Sequence, residues 1–182
     1  MIRHHQSGFT FIEVMIAFFI LATGIIGTVA MQAVAKKNSF DATQRAQALS
    51  MANDIIERIR ANSSVAANYN GTTFGQGEIA APNPRCQVPG VNCSSVQVAA
   101  NDRFEWDQRL TGNDVRRDLA ATGGISEASG CVNFNANGDL IVVVSWRGRD
   151  AIRDAADSTG EVNCGAASSE RRQVVVSTFI WQ

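Results

Sequence analysis

An apolar run from Phe9 to Ala35 constrains this chain more than any other feature, because it holds no Lys or Arg and one carboxylate, Glu13. About 20 apolar residues suffice to cross a bilayer as a helix, so the run is long enough to be an anchor. An ordinary secretory signal has a shorter apolar stretch and is cut after it. Here the small-residue pair Ser7-Gly8 comes first, behind a short polar start, MIRHHQSG, with positive charge at Arg3 and the amino terminus. The positive-inside preference would hold that end in the cytoplasm, although Lys36 and Lys37 act against it from the far side. A plain single-pass anchor satisfies the length equally well. It leaves Glu13 unexplained, since a charge at bilayer depth costs about 2.5–3.5 kcal/mol.

Cleavage after Gly8 would supply a reason. Phe9 would become the new terminus, with an α-amine that is cationic below roughly 7.7–8. Glu13 lies four residues along, on the same helical face, and can pair with its own terminus or with a neighbour's. Its place in the first turn also suits the positive end of the helix dipole. From these residues alone, a carboxylate reaching back to the interface explains Glu13 as well.

The stretch Gly8-Phe9-Thr10-Phe11-Ile12-Glu13, followed by the long apolar run, resembles the class III signal of type IV pilins and type II secretion pseudopilins. The resemblance implies that a prepilin peptidase cuts between Gly8 and Phe9. It further implies that Phe9 is N-methylated and that Glu13 registers the subunit during assembly. No cofactor is implied.

Past the anchor, the sequence predicts a long helix, because no Pro or Gly interrupts the chain between Ala30 and Asn62. Apolar residues at Phe40, Leu49, Ala52, Ile55, Ile56 and Ile59 recur mostly at intervals of three and four, which gives one packing face. Asp54 and Arg58 can form an i,i+4 pair opposite that stripe. A helix over 9–62 would be about 80 Å long, with residues 9–35 in the membrane or filament core and 36–62 amphipathic. Gly24 and Gly27 either permit close helix approach or allow local unwinding. Ala30 stands where major type IVa pilins carry a proline.

The segments ILATGIIGTVAMQ and QRAQALSMANDIIERIRAN, ending in Glu57-Arg58-Ile59-Arg60-Ala61-Asn62, resemble the PilV-type minor pilins of type IV pili. That resemblance covers the first third of the chain.

The organisation expected is therefore a leader over 1–8, a helix over 9–62 and a globular head over 63–182. Residues 63–95 are rich in Asn, Ser, Gly and Pro and read as a loop. Short helices are expected at 101–110, with Trp106 and Leu110 on one face, and at 114–121, with Val115 and Leu119 four apart. CVNFN and LIVVVSWR flank an Asn137-Gly138 hairpin turn, and RRQVVVSTFIW over 171–181 supplies a third strand. Val142, Val144 and Trp146 share one face, Ile141 and Val143 the other. The even set Cys86, Cys93, Cys131 and Cys164 reads as two disulfides in an oxidising compartment, with zinc as the weak alternative. Of three pairings, 86–93 with 131–164 is preferred because sequence-local closure is easiest. The expected class is α+β: a pilin-like long helix packed on an antiparallel sheet, with disulfide-bonded loops.

A net charge of −1 leaves no overall basic footprint, so nucleic acid is disfavoured as a direct partner. The only histidines, His4 and His5, precede Gly8, so cleavage removes them, and no metal site or catalytic residue is expected. The resemblance implies a non-enzymatic minor pilin that helps prime pilus assembly near the tip. It would sit in the inner membrane with a periplasmic head, and at the cell surface once assembled. Its implied partners are other minor pilins, the major pilin, a pilus-tip adhesin and prepilin peptidase. Two rivals stand beside it. One is a type II secretion pseudopilin; calcium-binding major pseudopilins need oxygen ligands near the C-terminus, and RRQVVVSTFIWQ has no acid. The other is a membrane-tethered enzyme, for which no paired carboxylates or nucleophile motif is visible.

Overall fold

The computed structural model describes residues 8–77, 79–118, 120–156 and 163–181. Residues 1–7 of the expected leader, Leu119 and residues 157–162 lie outside the described residues. The chain divides into two compact units, one up to Phe40 and one from Asp41 onward.

In the first unit the Thr10 carbonyl accepts from the amides of Glu13 and Val14, which opens helix α1, Phe11–Ala61. The apolar side chains on this stretch are exposed, from Val14 at 39 % to Phe11 at 81 %. Thr23 and Thr28 turn their hydroxyls back onto the carbonyls of Phe19, Ile20 and Ile25. The stretch therefore hides its own polar groups and presents hydrocarbon outward, as a lipid or a filament core requires. Gly24 and Gly27 sit within continuous helix.

The second unit begins with the outer part of α1, which buries Gln44, Ala48, Ala52, Ile55, Ile56 and Ile59. Phe40 and Leu49, expected on that stripe, are exposed. The larger side chains misplace the face, because the positions at 48 and 52 that pack against the core are alanines, which hydropathy weighs less.

Residues 63–95 are less irregular than their polar composition suggests. A 3-10 helix, Ser63–Tyr69, and strand β1, Gly71–Phe74, form within them, and Tyr69 and Phe74 are fully buried. Helix α2 runs over Ser95–Thr111, starting six residues before the expected 101. Ser94 and Gln97 close a capping box at its start, and Gly112 ends it in the left-handed conformation.

The helix expected over 114–121 does not form. Strand β2, Arg116–Arg117, pairs instead with β3, Ala120–Ala121. Val115 is 55 % exposed, so a helix there would have had no core to bury its apolar side, and so short a helix does not hold alone.

The main sheet has the order β1-β4-β5-β6, with every pair antiparallel, where β4 is Ser129–Phe134, β5 Asp139–Arg147 and β6 Arg171–Phe179. β6 thus ends two residues before the expected 181. The β4–β5 turn is fastened by Asn135, whose Oδ1 accepts from the amides of Asn137 and Asp139. Val142, Val144 and Trp146 join α1 and α2 residues in the core, while Val143 and Ile141 lie on the other face with Cys131 and Cys164. Cys86 bonds Cys93 and Cys131 bonds Cys164. Arg85, beside the small loop, stacks over Phe104 at 4.6 Å and donates to Asn101 Oδ1, which holds that loop on α2.

Trp106 is the centre of the core: fully buried, edge-on to Phe74 at 4.9 Å, with Nε1 donating to the Met51 carbonyl at 2.9 Å. It lies so close to β4 that a Cβ on Gly130 would come within 2.4 Å of its ring. Gly130→Ala should therefore destabilise the fold by about 2 kcal/mol through overpacking, read as a lower urea midpoint at unchanged slope.

Candidate functional site

Two places carry the residues singled out by the sequence. The first is the start of α1. Gly8, Phe9 and Thr10 precede the helix and are exposed, Phe9 at 80 %, and Glu13 lies exposed in the first helical turn. A cationic terminus at Phe9 and a carboxylate at Glu13 would share the end of one apolar helix.

The second is the seam where the outer part of α1 meets α2. Asp102 and Glu105 are three residues apart and so share a face of α2. Arg58 points at both: Nη1 is 2.6 Å from Asp102 Oδ1 and 2.9 Å from Glu105 Oε2, while Nε is 3.2 Å from Asp54 Oδ2. Asp54 in turn holds Arg109 at 2.6 Å. The other oxygen of Asp102 accepts from the Tyr69 hydroxyl at 2.7 Å. Asn62 donates through Nδ2 to that hydroxyl and to the Ser95 carbonyl. Arg60 joins Glu57 and, through Nη2, the Thr178 hydroxyl of β6.

Burial works against the charge on Arg58, but Glu105, Asp102 and Asp54 outweigh it and raise the guanidinium pKa. Burial also pushes the Tyr69 phenol up; Asn62 opposes this and Asp102 reinforces it, so Tyr69 stays a neutral donor. The Asp54–Arg58 pair is present, but not on a solvated face as its spacing suggested: the Arg58 side chain is only 19 % exposed. Asp102, Glu105 and Tyr69 were missed because their link to Arg58 spans a loop. The i,i+3 acids of α2 were the one signal available.

Arg58→Met should leave the partly buried Asp102 without its cation, and Glu105 with only Arg85, 3.7 Å away. The expected cost is about 3 kcal/mol, or on the order of 10 °C in Tm, measured by thermal unfolding of the detergent-purified chain.

Asn62-Ser63-Ser64 and Asn70-Gly71-Thr72 fit the N-glycosylation pattern, a match that occurs by chance in a stretch rich in Asn and Ser, and neither offers a loose amide. Asn62 is engaged as described, and Asn70 exchanges two hydrogen bonds with the backbone of Phe134. A cleft beside β4 and β5 is lined by Ser129, Ser145, Arg147 and Glu170. Arg147 is held between Glu127 and Glu170, and Ser145 donates to the Cys164 carbonyl. Among the described residues, no group of three or more His, Cys, Asp or Glu is placed to hold a metal ion.

Residues 3–29 match the prokaryotic N-terminal methylation motif, and residues 30–104 match the Tt1218-like family, type IV pilin Tt1218. Over residues 30–104 the chain is thus similar to a type IV pilin domain. No curated protein and no solved structure matches it. The matched pilin domain takes in Arg58, Asn62, Tyr69 and Asp102, so most of the seam lies within it. The motif match takes in Gly8, Phe9 and Glu13. Type IV pilins are structural subunits, not enzymes, and a prepilin motif implies processing by prepilin peptidase and assembly with other pilins. The α+β architecture is that of a pilin, and the apolar helix fits anchoring in an inner membrane.

Proposed function

We propose that this pilin is a minor, PilV-type subunit of a type IV pilus. The peptidase cuts between Gly8 and Phe9, Phe9 is methylated, and Glu13 sets the register of the subunit against its neighbours. The head faces the periplasm before assembly and the exterior afterwards. With other minor pilins and an adhesin, the subunit primes the filament and lies at or near its tip.

The observation that carries this reading is the start of α1: Glu13 in the first turn of a helix whose apolar side chains from Phe11 to Val34 are exposed. Such a surface is satisfied by lipid and then by identical surfaces of packed subunits, and one carboxylate per subunit can meet one terminal amine. The Glu57–Asn62 ending and the two disulfides favour the pilus over a type II secretion pseudopilin, which shares the leader, Glu13 and the general plan.

Deleting the gene decides between the two. Loss of surface pili or twitching with type II secretion intact supports the pilus reading; the reverse pattern rejects it in favour of the pseudopilin.

A further inference from the structure

The carboxylates of the α1–α2 seam, Asp54, Asp102 and Glu105, are matched among the described residues by Arg58, Arg109 and Arg85. Arg58 and Arg109 stand on helices, whereas Arg85 comes from the loop over 80–94. Glu105 joins the two sides. Its Oε2 accepts from Arg58 at 2.9 Å, while its Oε1 accepts from Asn101 Nδ2 and faces Arg85 Nη2 at 3.7 Å. Asn101, 5 % exposed, completes the link, because its Oδ1 accepts from Arg85 Nε at 3.0 Å.

Packing alone does not keep the loop in place. No residue from 80 to 94 is buried, and the backbone bonds from Val88 to Arg85 and from Val91 to Val88 close turns within the loop itself. The tie to α2 is the Cys86–Cys93 disulfide. Cys93 immediately precedes Ser94, the N-cap of α2, so the bond fastens Cys86, and Arg85 beside it, to the helix that carries Asn101 and Glu105. Opening it restores conformational freedom that closure removes, and Arg85 is no longer held at the helix. The two disulfides also differ in access, on which thiol–disulfide exchange depends. Cys86 and Cys93 are half-buried, whereas Cys131 is 5 % and Cys164 1 % exposed.

We propose that Cys86–Cys93 is a redox-sensitive clamp on the α1–α2 seam, opened by a dithiol while Cys131–Cys164 stays closed. One thiolate of the dithiol attacks a sulfur of the pair and expels the other sulfur as a thiolate. The second thiolate then closes on the mixed disulfide. The dithiol leaves as a cyclic disulfide, having given up two electrons, and its two protons end on Cys86 and Cys93. Arg85 then leaves Glu105, so that three carboxylates share two cations. The Asp102 and Glu105 side chains are only 13 % and 14 % exposed, so water does not make up the difference and the outer part of α1 is held less firmly on α2. The clamp is independent of the pilus reading, since each group in it lies between Asp54 and Arg109.

The test treats the full chain in detergent with limiting dithiothreitol. Freed thiols are alkylated with iodoacetamide and located by peptide mass, and thermal unfolding of the alkylated protein is then recorded. Alkylation of Cys86 and Cys93 should run at least about 10-fold faster than that of Cys131 and Cys164. Opening should lower Tm by about 8 °C in the unaltered chain. In Arg85→Met, where the cation is already gone, and in Glu105→Gln, where no charge is left in excess, the loss should shrink to about 4 °C. Cys86→Ser combined with Cys93→Ser, which cannot close, should match the alkylated chain. Arg85 stands on a surface loop with no buried residue, so Arg85→Met reports even if Glu105→Gln does not fold.

Alkylation of Cys131 and Cys164 at the same rate overturns the proposal. So does an unchanged Tm on opening. So does an equal Tm loss in the unaltered chain and in Arg85→Met, because a disulfide that acts only on the unfolded chain is blind to Arg85.

Discussion

Gly8→Leu is expected to leave the chain at precursor length, with essentially none of the mature mass in the membrane fraction. A Cβ at Gly8 would meet no atom within 4 Å, so the substitution disturbs nothing in the described structure. The head should fold and both disulfides should close as before. What changes is the residue presented at the bond to be cut, where a bulky side chain replaces none. Intact-mass measurement of membrane-extracted protein reads the result directly, as an excess equal to residues 1–8 less the methyl group. Normal processing of Gly8→Leu would remove the leader assignment, and with it the reason for an amine at Phe9.

Glu13→Ala should separate processing from assembly. Alanine is the best helix former and Glu13 is exposed, so α1 should persist and cleavage should proceed. The loss falls on the filament. Without the carboxylate, the terminal amine of each subunit enters an apolar core unpaired, and a charge in that setting costs about 2.5–3.5 kcal/mol. At about 1.4 kcal/mol per factor of ten, incorporation should fall roughly 100-fold. The measurement is the ratio of Glu13→Ala to unaltered subunit in sheared pili, normalised to the membrane pool. Equal incorporation would show that Glu13 sets no register.

The two predictions lie at the end of the chain where the sequence was most legible. Glycine, an aromatic residue and glutamate ahead of a long apolar run depend on no folded neighbour, so they could be read without one. The β4–β5 hairpin was legible for a related reason. Asn137-Gly138 and the alternation from Leu140 to Trp146 are local signals, and both faces of β5 fall where the alternation puts them. The 114–121 helix failed because an i,i+4 pair of apolar residues reports only the possibility of burial. Val115 stays 55 % exposed, outside the core. Tyr69 and Phe74 were lost in a polar stretch, because composition averages over the few side chains that reach the core.

By itself the sequence determined the apolar segment, its lone carboxylate, the long helix and the central hairpin, all set by residues within a few positions of one another. Only the tertiary structure decided that Arg58 binds the two acids of α2, that Gln44 and Ala48 rather than Phe40 and Leu49 lie on the packing face of α1, and that β6 forms an edge of the main sheet. Those outcomes depend on which surfaces meet after the chain has turned back on itself. No local period encodes that meeting, because its energy comes from burial and from pairing between groups far apart in sequence.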